Sequence, residues 1–245
     1  MGTTPEQTRA MVRTMDHQLG RLLCAIDDSD TVVVFIGDNG TAGDAPNGEP
    51  RGIVPPFPGN HGKATVYQGG LNVPLIVRGP GVKKGTSDAL VNSTDILATV
   101  AEIAGHPDPN GIAADSISWV PYHSNAQLPS IRETVHGERF IPTYTPVDFA
   151  TGEPPKGYRA KRHSRAVRNH RFKLIQRHIE GRFASEEFYD LLEGGPIDSE
   201  GTPTRDDFEQ NDLLQNRADW PKDGVVESNY LALHEELARV LPPLP

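Results

Sequence analysis

The most constraining stretch of the chain is Val32-Val33-Val34-Phe35-Ile36, an unbroken apolar run that stops at Gly37-Asp38-Asn39-Gly40. Residues of this β-branched and aromatic kind, in a run too short for a helix, predict a strand. The lack of apolar–polar alternation predicts a parallel strand covered on both faces. In open α/β sheets, ligands collect beyond the carboxyl ends of the strands, and Asp38 and Asn39 stand at that end. A carboxylate beside an amide carbonyl offers hard oxygen donors, suited to Ca²⁺ and, less well, to Mg²⁺. The flanking glycines let the backbone turn around an ion. Asp-Asn-Gly is also ordinary turn chemistry, and on spacing alone the turn is the simpler reading.

A second stretch shifts that balance. Lys63 follows in a glycine-bracketed segment, then Tyr67-Gln68-Gly69-Gly70, then another apolar strand from Val73 to Val77. A lysine near a cation-binding carboxylate suits an anionic tetrahedral group, where charge stabilisation does most of the catalytic work. Taken alone, Lys63 reads as a solvated surface lysine.

The order Val-Val-Phe-Ile-Gly-Asp38-Asn39-Gly, then His61-Gly-Lys63-x-x-x-Tyr67-Gln68-Gly-Gly and Val73-Pro-Leu-Ile-Val77, resembles the C-terminal half of the type I sulfatases, members of the alkaline-phosphatase-like superfamily. The resemblance implies an α/β fold. Residues 1–162 would form the C-terminal part of a doubly wound sheet, and residues 163–245 a small subdomain of antiparallel sheet plus helix. It implies hydrolysis of a sulfuric ester, with a small-molecule or glycan sulfate ester as substrate. By resemblance, Asp38 and Asn39 match the pair that helps bind the active-site Ca²⁺, and Lys63 matches the lysine that contacts the sulfate. His61 is placed near the leaving oxygen. Gln68 stands where the family commonly has Glu, a position expected to serve the turn.

Composition narrows the alternatives. The 245 residues suit one large domain, or one domain with an appendage, and 24 glycines and 22 prolines imply many loops. A formal charge of −9 argues against a general nucleic-acid binder. The basic stretch from Lys156 to Lys173 is expected to be a solvated or inter-domain face. Cys24 is the sole cysteine, which excludes an internal disulfide; its apolar helical setting predicts a buried thiol. No signal peptide opens these residues and no apolar run reaches membrane-spanning length, so no membrane partner is expected and the compartment stays open.

Along the chain, Thr4-Pro5-Glu6-Gln7 signals a helix start, and Met11, Met15, Leu19, Leu22, Leu23 and Ile26 recur at helical spacing. The Gly- and Pro-rich segment 41–60 is a loop placed to line a site and shape substrate choice. Ala89-Leu90-Val91 is a short strand candidate. Ser93 or Thr94 would cap a helix over about 95–104, with Gly105 as its stop. Asp95 to Thr99 resembles the family's Asp-x-x-x-Thr helix, and Asp115 to Ser118 its Asp-Gly-x-Ser turn. Residues 107–162 read as irregular, and His123, His136 and His163 as exposed or loop histidines. Ala166-Val167-Arg168 and Phe172 to Ile175 read as hairpin arms turning at Asn169-His170, and Phe188 to Leu191 as a further strand. Residues 196–207 read as an inserted acidic loop. Leu231, His234, Leu237, Ala238 and Leu241 mark a last amphipathic helix, stopped by Pro242-Pro243.

The family's Cys/Ser-x-Pro/Ala-x-Arg segment, whose first residue becomes the formylglycine nucleophile, has no match ahead of Asp38. Ser164-Arg-Ala-Val-Arg168 fits Ser-x-Ala-x-Arg formally, but in the basic hairpin. Asp38 and Asn39 alone supply too few oxygens for Ca²⁺. Three readings follow, in order: a sulfatase lacking its N-terminal half, either as a fragment or as a split gene product whose separate partner chain supplies that half; a relative acting on phosphate or phosphonate esters; and a non-catalytic remnant that binds anions or a partner protein.

Overall fold

The computed structural model describes residues 5–27, 29–40, 61–141, 161–195, 204–220 and 224–240. The chain divides into two compact units. The first holds residues 1–38, 45–54 and 73–135, and the second residues 39–44, 55–72 and 136–245. The boundary expected at residue 162 lies within the second unit. Segments 41–60 and 142–160 and the acidic stretch 196–203 lie outside the described residues.

The first unit contains helix α1 (Pro5–Leu23), strands β1 (Val33–Ile36) and β2 (Leu75–Arg78), helix α3 (Asp95–Ile103) and the short helix α4 (Pro121–Ser124). Strand β1 pairs antiparallel with β2, Val33 opposite Arg78 and Ile36 opposite Leu75. The expectation of a parallel strand covered on both faces is corrected here: β1 is half-buried along its length, and the next strand in the chain returns antiparallel beside it, since an apolar run does not encode the direction of its neighbour. The bond from Gly37 N to Pro74 O, 3.0 Å, continues this pairing beyond the ladder.

The apolar stripe of α1 does not form the core of this unit. Met11, Val12, Met15 and Leu22 are exposed, whereas Leu90, Ala98 and Trp119 are buried. Cys24 is exposed as well, against the expected buried thiol. Residues 89–91 form no strand. Instead the Leu90 N–H donates to Ser130 Oγ at 3.0 Å.

The polar centre of the unit is Asp95, 1% exposed. Its carboxylate accepts from Asn92 N (2.8 Å), Ile117 N (2.9 Å) and Arg132 Nε (2.9 Å), and it also ion-pairs with Arg132 Nη2. Asp95 thereby satisfies one backbone N–H ahead of α3 and one beyond it, while Thr94 makes no side-chain cap and donates to Asp115 O instead. Thr99 Oγ1 donates to Asp95 O and accepts from Trp119 N; Ser116 Oγ donates to Thr94 O and accepts from Ala98 N. Asp95 and Thr99 of the Asp-x-x-x-Thr pattern, with Ser116, thus tie α3 to the segment that follows it, whereas Ser118 accepts from Val120 N within that segment. Gly105 (φ +80°) ends the helix as expected.

The second unit contains the one-turn helix α2 (Gln68–Leu71), strands β3 (Val135–Ile141), β4 (Arg162–Arg168), β5 (Phe172–Ile179) and β6 (Arg182–Asp190), a 3₁₀ turn at Leu213–Asp219 and helix α5 (Val225–Val240). The strands form one sheet in the order β3-β4-β5-β6. The β4–β5 hairpin turns at Asn169, whose side chain accepts from Arg171 N and Phe172 N. The β5–β6 hairpin turns at Glu180-Gly181, both with positive φ, as a two-residue loop requires to match strand twist.

Strand alternation sends the side chains to two cores. Val167, Phe172, Leu174 and Phe188 pack with Val226, Leu233 and Leu237 of α5. Ala166, Ile175 and Tyr189 lie on the opposite face with Val66 and Tyr67. Covered on both faces, β5 is buried from Phe172 to Gln176. The inward residues of α5 are Val226, Leu233 and Leu237, while Leu231 is exposed.

Burial also corrects the reading of the cations and histidines. Arg165 and Lys173 are buried, with Gln176 and Glu209 as partners. His163 is buried against Glu138 at 2.7 Å, and His123 is buried too. The stretch is therefore not a solvated face over these residues, because strand alternation points its cations into the unit. Strand β3, inside the segment read as irregular, lies at a sheet edge, and Gly137 and mixed polar residues obscure its pattern.

Two predictions follow from these buried groups. Asp95→Ala leaves Arg132 without its carboxylate and should lower unfolding stability by about 3–5 kcal/mol in urea denaturation. Burial pushes the His123 imidazole below its usual range, with Glu102 opposing, and burial, Arg165 and His163 do the same for His178. In the unfolded chain both bind protons near pH 6.5 (about the free value) before the folded forms do. Stability should therefore be full above that pH and be lost as pH falls through the depressed folded values. Urea midpoints measured down to about pH 5 should drop, and less so in His123→Phe.

Candidate functional site

The site is built from two backbones that touch. The Gly40 N–H donates to Gly70 O at 3.2 Å. A Cβ on Gly40 would overlap the Gly69 carbonyl oxygen, and one on Gly70 would overlap the Thr65 carbonyl. Gly40 of the Asp-Asn-Gly motif and Gly70 of the Tyr-Gln-Gly-Gly motif are thus required by close approach, which holds Asn39-Gly40 against the segment carrying Lys63. Asp38 and Asn39 are exposed at the carboxyl end of β1.

Residues 61–71 fold around Tyr67. Thr65 Oγ1 donates to Gly62 O (2.6 Å), and Gly70 N and Leu71 N donate to Tyr67 O. Ala64 adopts φ +64°, a conformation costly for a residue with a Cβ. Lys63 is exposed on this turn. His61 is buried, stacked on the Tyr67 ring at 3.6 Å, with Nδ1 3.1 Å from Phe208 O. A carbonyl can only accept, so this contact places the proton of the neutral imidazole on Nδ1 and leaves the lone pair on Nε2. The structure brings His61 and Lys63 into one turn, with His61 facing inward and Lys63 outward.

Tyr67 is locked by residues that carry no local sequence signal. Its hydroxyl donates to Glu187 Oε2 at 2.7 Å and accepts from Arg177 Nη2 at 2.6 Å. Tyr189 also donates to Glu187 Oε2, at 2.9 Å. Burial, followed by the neighbouring carboxylate, raises both phenols above their ordinary range. Burial would raise the Glu187 carboxyl too, but the hydrogen bonds from Arg177 and Tyr67 outweigh it and hold Glu187 low.

A second anchor lies under α2. Glu209, 1% exposed, accepts from Gln68 N and ion-pairs with Lys173 Nζ at 2.6 Å. Gln68 Oε1 lies 3.5 Å from the same ammonium. The Gln68 amide is therefore part of a buried polar cluster and does more than serve the turn. Burial depresses the Lys173 ammonium, with Glu209 opposing. Among the described residues, no group of three or more His, Cys, Asp or Glu side chains is placed to hold a metal ion. Ser164, the formal Ser-x-Ala-x-Arg match, sits mid-strand opposite Arg177.

Glu209→Gln should destabilise the protein by about 3–5 kcal/mol, because it strands a buried ammonium. Adding Lys173→Met to that variant should recover much of the loss. Urea denaturation of the single and double variants measures both.

The chain resembles known proteins over part of its length. The sulfatase family matches residues 6–106. Arylsulfatase K of Danio rerio is 33% identical over 130 residues, which are 49% of this chain and 23% of that protein. Human arylsulfatase A is 34% identical over 102 residues, 39% of this chain and 19% of that protein. The chain thus spans less than a quarter of the length of these relatives. Among solved structures, BT4656 in complex with its substrate D-glucosamine-2-N,6-O-disulfate superposes with a TM-score of 0.59 at 20% identity, covering 93% of this chain and 39% of that one. The 2-O GAG sulfatase BT1596 does so with 0.51 at 21%, covering 85% and 36%. These likenesses carry the α/β, alkaline-phosphatase-like fold. Over residues 6–106 the chain matches the sulfatase family, and the Asp-Asn-Gly and Gly-Lys-x-x-x-Tyr motifs lie within that match.

Proposed function

We propose that this chain carries the calcium-facing and sulfate-facing part of a sulfuric ester hydrolase, with a small-molecule or glycan sulfate ester as substrate. The observation that supports this reading most is the close contact of Gly40 with Gly69 and Gly70. It leaves no space for side chains where the Asp-Asn-Gly turn meets the Lys63 segment.

The Asp38 carboxylate and Asn39 amide oxygen fit a hard cation in chemistry but give only two of the six or more donors that Ca²⁺ takes. They would be partial ligands, with the remainder from residues beyond those described. A bound Ca²⁺ would supply positive charge to the sulfuryl oxygens. The exposed Lys63 ammonium would bind the same oxygens and oppose the negative charge that grows as the ester bond breaks. His61, which the family pattern puts near the leaving oxygen, is buried and faces inward here, so in this geometry it would position the turn that carries Lys63. In this reading the nucleophile lies outside the 245 residues.

Calorimetric titration with inorganic sulfate in the presence of Ca²⁺ tests the reading. Lys63→Ala should weaken sulfate by about tenfold or more, as loss of a charged hydrogen-bond partner does, and Asp38→Ala should remove the Ca²⁺ dependence. Equal sulfate affinity in Lys63→Ala would overturn it. An aryl phosphate bound more tightly than the matching aryl sulfate would favour the phosphoester reading.

A further inference from the structure

One face of the sheet in the second unit carries a cavity of about 420 Å³ that neither the metal pair nor the sulfate lysine accounts for. Tyr67, Arg139, Ser164, Arg177, Ser185 and Glu187 line it. Their placement follows from strand register. Ser164 of β4 stands opposite Arg177 of β5, which stands opposite Ser185 of β6, so hydroxyl, guanidinium and hydroxyl form one row across three strands. Arg139 comes from β3, the strand next to β4.

Bonding capacity in this cavity is left over. Arg177 is committed to Glu187 and Tyr67. Arg139 makes no ion pair or hydrogen bond among the described residues, and its Nε is buried. Arg139 is half-buried, and a donor withheld from water, as its Nε is, normally has an acceptor. The Ser164 and Ser185 hydroxyls likewise make no side-chain hydrogen bond among the described residues. Two guanidiniums against one carboxylate leave the cavity with a net positive charge. The two hydroxyls flank Arg177, whose guanidinium is already paired, while Arg139 reaches the same cavity from β3 with donors to spare; an oxyanion on the Arg139 fork would have hydroxyl groups of the same molecule along the serine row.

We propose that this cavity binds the carboxylate or sulfate of a hydroxyl-rich molecule, with Arg139 as its main anion contact and Ser164 and Ser185 bonding the neighbouring hydroxyls. It is a binding site separate from the Lys63 turn, and it stands whether or not the sulfatase reading does. Because Thr65 and Tyr67 line the cavity and belong to the Lys63 segment, one extended ligand could engage both.

Calorimetry on the full chain with glucuronate, glucose 6-sulfate and glucose tests this. Glucuronate and glucose 6-sulfate should bind saturably and glucose at least about tenfold more weakly. Arg139→Gln should weaken glucuronate by about tenfold or more, and Ser164→Ala with Ser185→Ala by a smaller factor. Lys63→Ala should leave glucuronate unchanged, which separates this site from the sulfate lysine. The serine variants remove only hydroxyls, so they test the cavity even if Arg139→Gln fails to fold. Glucose binding as well as glucuronate, no saturable binding of either anion, or glucuronate affinity untouched by the arginine and serine changes would each overturn the proposal.

Discussion

The buried Lys173–Glu209 pair is the contact on which the arrangement of the second unit depends. Either charge alone in that interior would cost several kcal/mol. Together they are tolerable because Glu209 also accepts the Gln68 N–H, and Gln68 lies beside the ammonium. One carboxylate therefore ties β5, the 204–220 segment and the start of α2 to a single point. The neutral Gln68 fits this cluster. With Glu there, as the family commonly has, two carboxylates would face one ammonium. The amide keeps the charges balanced without giving up an acceptor.

Above that point, the sheet is packed on both faces, which is uncommon for an antiparallel sheet with a helix on one side only. The second cover is the loop 61–71. Val66 and Tyr67 occupy the place that another helix would fill. The segment that carries Lys63 is therefore core and site at once. Its backbone rests on buried apolar contacts, and the outward residues of its first turn and Leu71 at its end meet solvent.

Much of this was legible in the sequence because the signals are local. The β-branched run before Asp38, the Asn169 turn, Gly105 and the final helix each encode their own geometry within a few residues. The sheet direction of β1 was not legible, since an apolar run is silent about its neighbour. Strand β3 was hidden by Gly137 and its polar residues. The basic stretch misled because charge predicts exposure only where no partner exists, and Glu138 and Glu209 come from elsewhere in the chain. The Tyr67–Glu187 bond spans 120 positions, a separation at which no local pattern survives. Nor does helical periodicity say that a stripe is covered: Met11 and Met15 are exposed.

The two fixed points at Gly40 and His61 bear on how such a protein can diversify. One end of segment 41–60 is pinned by the Gly40–Gly70 backbone bond, and the other by the His61 contacts with Tyr67 and Phe208. Neither anchor uses a residue of the segment itself. Doubling the length of a loop whose ends are already held costs only about 0.6 kcal/mol in closure entropy. A change in the length of that connection thus asks little of the anchors that bound it. Its length can vary while the Gly40–Gly70 and His61 contacts stay as they are.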